Sequence, residues 1–328
     1  MNQGKDDNDT IDRRRFIKRM TKAGVSVAGA CALGHIFYDK TGPSGSSKET
    51  GVTVPDFSMA GVGSKMAIVK GSDRKEALEK AFAALGGIDT FIKKGDRVLL
   101  KVNAAFASPP ILSATTNPEL VARCIELCYK AGAEAVQVTD NPINDPAACF
   151  KLTGIAAAVE SAGGKLILPK NDFFKPTTVK GGSLIVNWPL LYEPIRGMTK
   201  LIGIAPVKNH QRSGASMTMK NWYGLLGGQR NIFHQDIHNT IKELAMMVRP
   251  TLVILDGTTT MMTNGPTGGS MSDLQDTNTM IIGTDQVSVD AFGCTLLGKT
   301  INDLPFISKA AEAGAGTADY ESLKPVYV

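Results

Sequence analysis

Cysteine is scarce in this sequence, and the spacings that hold iron–sulfur clusters are missing. The 328 residues include five cysteines, with no CxxC pair and no ferredoxin-like run. Cys124 and Cys128 lie four residues apart in a predicted helix and therefore share one face, where we expect them to be buried as small apolar residues. An iron–sulfur cluster is not expected, and the cofactor stays unknown, with a divalent metal as one alternative.

Signatures of several enzyme classes are also absent. The chain contains no GxGxxG, no HExxH and no GxSxG elbow, and the loop 258–270 is not a Walker A sequence. No residue therefore stands out as a hydrolytic nucleophile. What is present is the composition of a folded chain, with 43% hydrophobic and 20% charged residues, which excludes a disordered or fibrous protein.

The sequence has little net charge outside its first forty residues. Residues 1–40 contain eight Lys or Arg and five Asp, which is +3 of the formal +5. The remainder is close to neutral, so no electrostatic footprint for nucleic acid is expected.

The N-terminus resembles a twin-arginine export signal. DRRRFIK, residues 12–18, supplies the Arg13–Arg14 pair and the following apolar positions, and the run AGVSVAGACALG comes after it. That run is too short and too rich in glycine and alanine for an ordinary membrane span. We expect a signal over 1–40 that engages the Tat translocase and directs the protein to the periplasm. A basic amphipathic arm, or lipid anchoring at Cys31, is the alternative. Residues 41–62, rich in Gly, Ser, Thr and Pro, are predicted to be a flexible tether.

Short β-rich runs alternate with helical patterns over residues 63–328, which predicts an α/β domain with a mostly parallel sheet flanked by helices. Residues 170–200 interrupt the alternation and are predicted to form a small β-rich insertion. The predicted strands cover 65–70, 97–103, 133–141, 165–169, 201–209, 251–257 and 279–285.

Polar side chains stand where the predicted strands end. In open parallel sheets ligands bind beyond the carboxyl ends of the strands, because the loops there converge. These positions hold Lys101, Asn103, Asp140, Asn141, Lys208, Asn209, His210, Asp256 and Asp285. Lys220 and Asn221 follow a short turn after His210 and are expected to return to the same cleft, with Trp222 and Tyr223 as its wall or its underlying packing. We expect a small anionic ligand there.

Two further segments carry candidate ligand groups. The loop 258–270 combines threonines with Asn264, Gly265 and Gly268, and its backbone N–H groups could bind an anion, although a lid or a plain turn explains it equally well. His234, Asp236 and His238 open a predicted helix, and the i, i+4 histidines predict a divalent-metal site, with an ordinary amphipathic helix start as the alternative.

Taken in order, the segments KVN, ATTNPELV, GAEAVQVTDNP, APVKNH, MKNWYGLLGG, VILDGTTTMMTNGPTGG and GTDQVSVDAFGCTLLG resemble a bacterial and archaeal family called domain of unknown function 362. The resemblance covers residues 65–328. It implies no general activity, and some relatives carry a ferredoxin-like module that has no counterpart here. The positions that resemble the family's motifs are Lys101, Asn103, Thr115, Asp140, Lys208, His210, Lys220, Asn221, Gly224, His234, Asp256, Asn264, Gly265, Gly268, Asp285 and Asp290.

The sequence leaves two functional hypotheses. One is an exported, redox-linked enzyme in which Lys208, His210 and Lys220 are the catalytic groups. The other is a non-catalytic periplasmic protein that binds a metal or an anion, or an accessory subunit with a membrane redox partner. A cleft of Lys, Asp and His suits either hypothesis.

Overall fold

The computed structural model describes residues 13–36 and 51–328. The chain divides into two units, Met1–Gly42 and Pro43–Val328. The first contains helix α1 (Arg13–Ile36). Of the predicted signal, residues 1–12 and 37–40 lie outside the described part. No helix within the described ranges is long and apolar enough to cross a membrane.

The second unit contains the predicted alternation of strands and helices. Its helices are α2 (Arg74–Ala84), α3 (Pro118–Lys130), α4 (Pro146–Leu152), α5 (Ile155–Ser161), α6 (Thr218–Asn221), α7 (Ile237–Met247), α8 (Gln286–Gly293) and α9 (Pro305–Glu312). Its strands are β1 (Met66–Lys70), β2 (Arg97–Lys101), β3 (Ala135–Thr139), β4 (Lys165–Leu166), β5 (Phe174–Thr177), β6 (Trp188–Leu191), β7 (Lys200–His210), β8 (Gly214–Ser216), β9 (Leu252–Met261), β10 (Leu274–Gly283) and β11 (Val326–Tyr327).

Most strands form one mixed sheet with the order β11-β1-β10-β9-β7-β2-β3-β4, and β8 pairs with β7. The block β9-β7-β2-β3-β4 is parallel throughout. β10 runs antiparallel to both β9 and β1. Apolar layers cover both faces of the sheet, as the continuously apolar strands predict. The predicted α/β class with a mostly parallel sheet is confirmed.

Both ends of helix α3 carry residues that favour a helix terminus. The Asn117 side chain accepts a hydrogen bond from the Glu119 N–H at 2.9 Å, and Pro118 occupies the first turn. Gly132 follows the helix with a φ of 93°, a conformation that glycine adopts without strain. Gly132 thus ends the helix, and β3 begins three residues later at Ala135.

The interruption at 170–200 contains the antiparallel pair β5 and β6, which confirms a small β insertion. Its loop is fastened by Glu243, a fully buried carboxylate on α7. Glu243 accepts hydrogen bonds from the backbone N–H groups of Ser183, Leu184 and Ile185 at 2.7–3.1 Å. These bonds hold the insertion against α7.

The described part of the predicted tether, residues 51–62, contacts the domain. Val52 bridges to Thr177 of the insertion, and Phe57 is buried. The Phe57 backbone N–H donates to the Arg249 carbonyl at 2.9 Å, and its carbonyl accepts from the Thr251 hydroxyl at 3.0 Å. The expectation of a flexible tether therefore differs from the structure over these residues, because an apolar side chain within a polar segment anchors it. Residues 41–50 lie outside the described part.

Candidate functional site

A cleft of about 160 Å³ lies at the carboxyl ends of β2, β3 and β7. The parallel register of these strands brings together side chains that are far apart in sequence, as open α/β sheets do at their ligand sites. The predicted residues that line this cleft are Lys101, Asn103, Asp140, Asn141, Lys208, His210, Lys220, Asn221 and His234.

Lys101 and Asp140 form a buried ion pair at the floor of the cleft, with 2.7 Å between Lys101 Nζ and Asp140 Oδ1. Lys101 also donates to the Val102 carbonyl and to Asn221 Oδ1. Asp140 accepts from the backbone N–H of Ala104 at 2.7 Å. Burial lowers the pKa of Lys101, and the Asp140 charge opposes that shift. Both side chains are engaged by the protein itself.

The pair requires glycine at position 224. A Cβ on Gly224 would lie 2.0 Å from Asp140 Oδ1 and 2.7 Å from Lys101 Nζ. The Gly224 carbonyl accepts from the Asn141 N–H at 3.0 Å, which fixes the backbone in this position. Gly224 is therefore needed for close packing around two buried charges.

Lys208 is a second buried cation. Its ammonium donates to Asn103 Oδ1 at 3.3 Å and to the Ala114 carbonyl, and it lies 5.2 Å from the centre of the Phe106 ring. These partners are neutral. Burial is the main cause that lowers the pKa of Lys208 to about 7, and the charge of Lys220 adds to it.

Lys220 differs from the other two lysines because its ammonium has no polar partner in the part of the chain that the structure describes. Its side chain is 9% exposed and lies over the Tyr223 ring, 5.0 Å from the centroid. Across residues 13–36 and 51–328, the structure gives Lys220 no ion pair and no hydrogen bond. Burial, followed by the charge of Arg230, lowers its pKa to about 7.

Arg230 is a cleft residue that the sequence did not single out. Arg230 is 9% exposed, and its guanidinium donates to four backbone carbonyls at 2.6–3.2 Å, those of Tyr223, Leu226, Asn141 and Pro142. No carboxylate pairs with it among the described residues. Its place depends on loop carbonyls that only the folded chain brings together. In the sequence, its position four residues before His234 was the one indication that Arg230 lies near the cleft.

His210 and His234 face each other across the cleft as nearly parallel rings, with centroids 5.6 Å apart and an interplanar angle of 10°. Burial lowers the pKa of both, and the neighbouring charge of Lys220 acts in the same direction. For His210 the value falls to about 2. Both rings are therefore neutral at ordinary pH.

Helix α6 carries Lys220 and Asn221, and a buried carboxylate orients it. Asp290 accepts from the Thr218 hydroxyl, from the Thr218 N–H at 2.8 Å and from the Met219 N–H at 3.0 Å. Burial raises the pKa of Asp290 to about 7. Asp290 holds the first turn of α6 from α8 and thereby sets the position of Lys220.

Asp256 and Asp285 lie away from the cleft, contrary to prediction. β9 continues to Met261, so Asp256 lies within the strand, where it forms an ion pair with Arg74 at 2.7 Å. β10 is antiparallel to β9, so its final residues lie at the other edge of the sheet. Asp285 caps α8 there and accepts from the Thr317 N–H at 2.9 Å.

The loop 258–270 also differs from the expected anion cradle. Asn264 donates its side chain to Asp273 Oδ1 at 2.6 Å, and Thr263 binds the same oxygen. A Cβ on Gly265 would lie 1.8 Å from the Asn209 carbonyl oxygen, so this glycine packs on β7. Gly268 has a φ of 59° and packs near Met261. The loop binds an internal carboxylate, and only Pro266 lines the cleft.

The predicted metal ligands are not brought together. Asp236 accepts from the Asn239 side chain at 3.0 Å, and the His238 ring stacks on Phe306. His234 alone of the three lines the cleft. Within the described residues no group of three or more His, Cys, Asp or Glu side chains is arranged to hold a metal ion. The i, i+4 spacing is instead part of an ordinary helix start, because α7 begins at Ile237, between the two histidines.

Fold and site together define an α/β protein with a cationic cleft at the end of its parallel strands. The chain belongs to the family described as Domain of unknown function (DUF362), whose model matches residues 98–295.

The chain is also similar to a curated relative and to a solved structure. The chain is 27% identical over 206 residues to the thylakoid-associated protein sll1697 of Synechocystis sp.. That alignment covers 59% of this chain and 61% of the relative, so the chain spans less than two thirds of the relative's length. The structure of the lactate racemase apoprotein from Thermoanaerobacterium thermosaccharolyticum matches over 74% of this chain and 58% of that chain, with a TM-score of 0.38 and 11% identity. This likeness is too weak to support a conclusion about function.

Proposed function

We propose that the cleft binds a small anion, a carboxylate or a phosphate group, at Lys220. The observation that carries the proposal is Lys220, a residue that is nine-tenths buried and whose ammonium has no polar partner among the described residues. A buried charge without a partner is unfavourable, and a bound anion would supply both the opposite charge and the hydrogen bonds.

The charges around Lys220 favour the same ligand. Of the residues that the structure describes, four cationic side chains line the cleft, those of Lys101, Lys208, Lys220 and Arg230, together with one carboxylate, Asp140. Asp140 is already paired with Lys101. An incoming anion therefore meets uncompensated positive charge in a region of low water content, where electrostatic attraction is strong.

Calorimetric titration with acetate and with inorganic phosphate tests the proposal. Lys220→Met removes the charge while it keeps an unbranched side chain, and loss of a charge-assisted hydrogen bond should weaken anion binding at least about tenfold. Lys130→Met, at the exposed end of α3, is the matched control and should bind as the unaltered protein does. Equal affinity in the Lys220 and Lys130 variants would place the anion elsewhere.

An acid–base enzyme is the second candidate, and the low pKa of Lys208 and Lys220 favours it. Groups with a pKa of about 7 can both give and take protons at neutral pH, which general acid–base catalysis requires. In this hypothesis Lys208, Lys220 and His210 are the reacting groups. Following the lysine Cε resonances by NMR as pH rises should give midpoints near 7 for the two lysines. Midpoints near the ordinary lysine value of about 10.4 would remove the support for this role.

We also propose that the protein is exported by the Tat route to the periplasm. The DRRRFIK motif and the apolar run after it support this placement. Fusing residues 1–62 to a reporter that is active only outside the cytoplasm tests it. Export should be lost when Arg13 and Arg14 are both replaced by lysine, and unchanged export in that variant would contradict the Tat assignment.

If the protein is not catalytic, the alternative role is that of an accessory subunit that binds a membrane redox partner. The thylakoid association stated in the name of its relative is compatible with such a partner. Crosslinking at native expression, followed by identification of the attached chains, tests it. A specific membrane subunit attached to this protein would support an accessory role, and a monomer free of crosslinks would count against it.

A further inference from the structure

The hydrogen bonds of His210 determine which of its ring nitrogens carries the proton. Nδ1 lies 3.2 Å from the backbone N–H groups of both Arg212 and Ser213, and it accepts from both. A ring nitrogen that accepts hydrogen bonds has no proton of its own. In the neutral ring the proton is therefore on Nε2, and His210 offers a donor to the cleft.

The opposite assignment follows for His234. The Tyr223 hydroxyl has one proton and donates it to the Arg230 carbonyl. The same oxygen lies 3.1 Å from His234 Nδ1, and it can take part in that contact only as an acceptor. Nδ1 of His234 must therefore carry the proton, which leaves Nε2 with a free lone pair. His234 offers an acceptor to the cleft.

The two rings thus present one donor and one acceptor to the same cavity. Both rings line the same cleft and their centroids lie 5.6 Å apart, so a group bound between the rings contacts both of them. A hydroxyl group both donates and accepts. A carbonyl oxygen only accepts, and an ammonium group only donates.

We propose that the anion bound at Lys220 carries a hydroxyl group close to its charged end, and that this hydroxyl donates to His234 Nε2 and accepts from His210 Nε2–H. The ligand class is a small hydroxy acid or a hydroxyalkyl phosphate. This inference rests on the proposed anion site and adds the second group that the ligand must have.

NMR of the full chain labelled with ¹⁵N-histidine tests the tautomers without any ligand. The chain has four histidines, so His35→Gln and His238→Gln variants leave the signals of His210 and His234. In long-range ¹H–¹⁵N spectra, the protonated nitrogen should be Nε2 in His210 and Nδ1 in His234. The same tautomer in both rings, or a protonated imidazolium in either, would overturn the inference.

Matched pairs of ligands test recognition. Glycolate against acetate, and 2-hydroxyethyl phosphate against ethyl phosphate, differ by one hydroxyl group and separate the carboxylate and phosphate arms. Two hydrogen bonds of ordinary strength predict roughly tenfold tighter binding of the hydroxylated member in at least one arm. Methoxyacetate, which cannot donate, should show no such gain over acetate.

Two conservative variants assign the preference to the rings. In His210→Asn and His234→Asn the amide replaces the Nδ1 side of the ring and removes Nε2, so the ratio of glycolate to acetate affinity, or its phosphate equivalent, should fall toward one. His238→Asn, on the ring that stacks on Phe306, should keep the full ratio. If both members of each pair bind equally at Lys220, the anion site stands and the hydroxyl inference is wrong. If none of the anions binds, the anion site fails and the inference fails with it.

Discussion

Replacing Gly224 with alanine should destabilise the protein strongly, because the new Cβ would enter the buried pair beneath the cleft. It would lie 2.0 Å from Asp140 Oδ1 and 2.7 Å from Lys101 Nζ. The carboxylate cannot move away freely, since it also accepts from the Ala104 N–H at 2.7 Å and from the Asn141 N–H at 2.9 Å. The substitution must therefore either break the ion pair or displace the loop.

The magnitude follows from the burial of the pair, whose side chains are 0% and 3% exposed. Breaking a buried, hydrogen-bonded pair costs about 3–5 kcal/mol in the free energy of unfolding. At about 2–4 °C for each kcal/mol, the melting temperature should fall by about 10 °C. Thermal unfolding followed by circular dichroism measures the change.

Gly269→Ala is the control, because none of the described residues has an atom within 4 Å of the Cβ position there. Its melting temperature should stay close to that of the unaltered protein. An Asp140→Ala background should also reduce the cost of Gly224→Ala, since the carboxylate that the Cβ meets is gone. A Gly224 variant that melts at the same temperature as the Gly269 variant would show that the buried pair tolerates a Cβ at this position.

Three further predictions concern pH and the two buried carboxylates. Anion affinity should fall by about tenfold per pH unit above pH 7, because the Lys220 ammonium has a pKa of about 7 and loses its proton there. Calorimetry from pH 6 to 9 measures the affinity. An affinity that does not change with pH would contradict the lowered pKa of Lys220. Glu243→Gln should lower the free energy of unfolding by about 1–3 kcal/mol in urea titration, because the N–H groups of the insertion loop lose one of the two oxygens that accept from them. Residues 179–186 should then become accessible to protease. Unchanged cleavage of this loop would contradict the prediction. Burial raises the pKa of Asp290 to about 7, so the folded state binds more protons than the unfolded state between about pH 4 and 7. Its contribution to stability is then greatest below pH 4 and is lost as pH rises through 7. In Asp290→Asn that part of the pH dependence should disappear, and an unaltered profile would refute it.

The parallel part of the sheet could be predicted from sequence, and with it the meeting of Lys101, Asp140 and Lys208. Each follows an apolar run that ends at the same edge because neighbouring strands run in one direction. The prediction for Asp285 was wrong, because β10 runs antiparallel to β9 and a short apolar run in the sequence does not show the direction of its strand. The prediction that Asp256 ends its strand was wrong, because β9 continues to Met261.

The remaining features of the cleft depend on tertiary contacts that no local pattern encodes. Arg230 is held by carbonyls from two separate loops. The sequence does not show that Lys220 is unpaired, because this depends on the lack of an acidic neighbour among the described residues in space. The donor and acceptor roles of the two histidines require knowledge of every hydrogen bond around them.

Diffraction from crystals soaked in selenate is the sharpest test of the anion site at Lys220, because the anomalous signal of selenium locates the anion independently of the protein. We expect an anomalous peak inside the cleft, within hydrogen-bonding distance of Lys220 Nζ, that is lost in Lys220→Met crystals and retained in Lys130→Met crystals. Peaks confined to the outer surface, with no selenium inside the cleft, would contradict it.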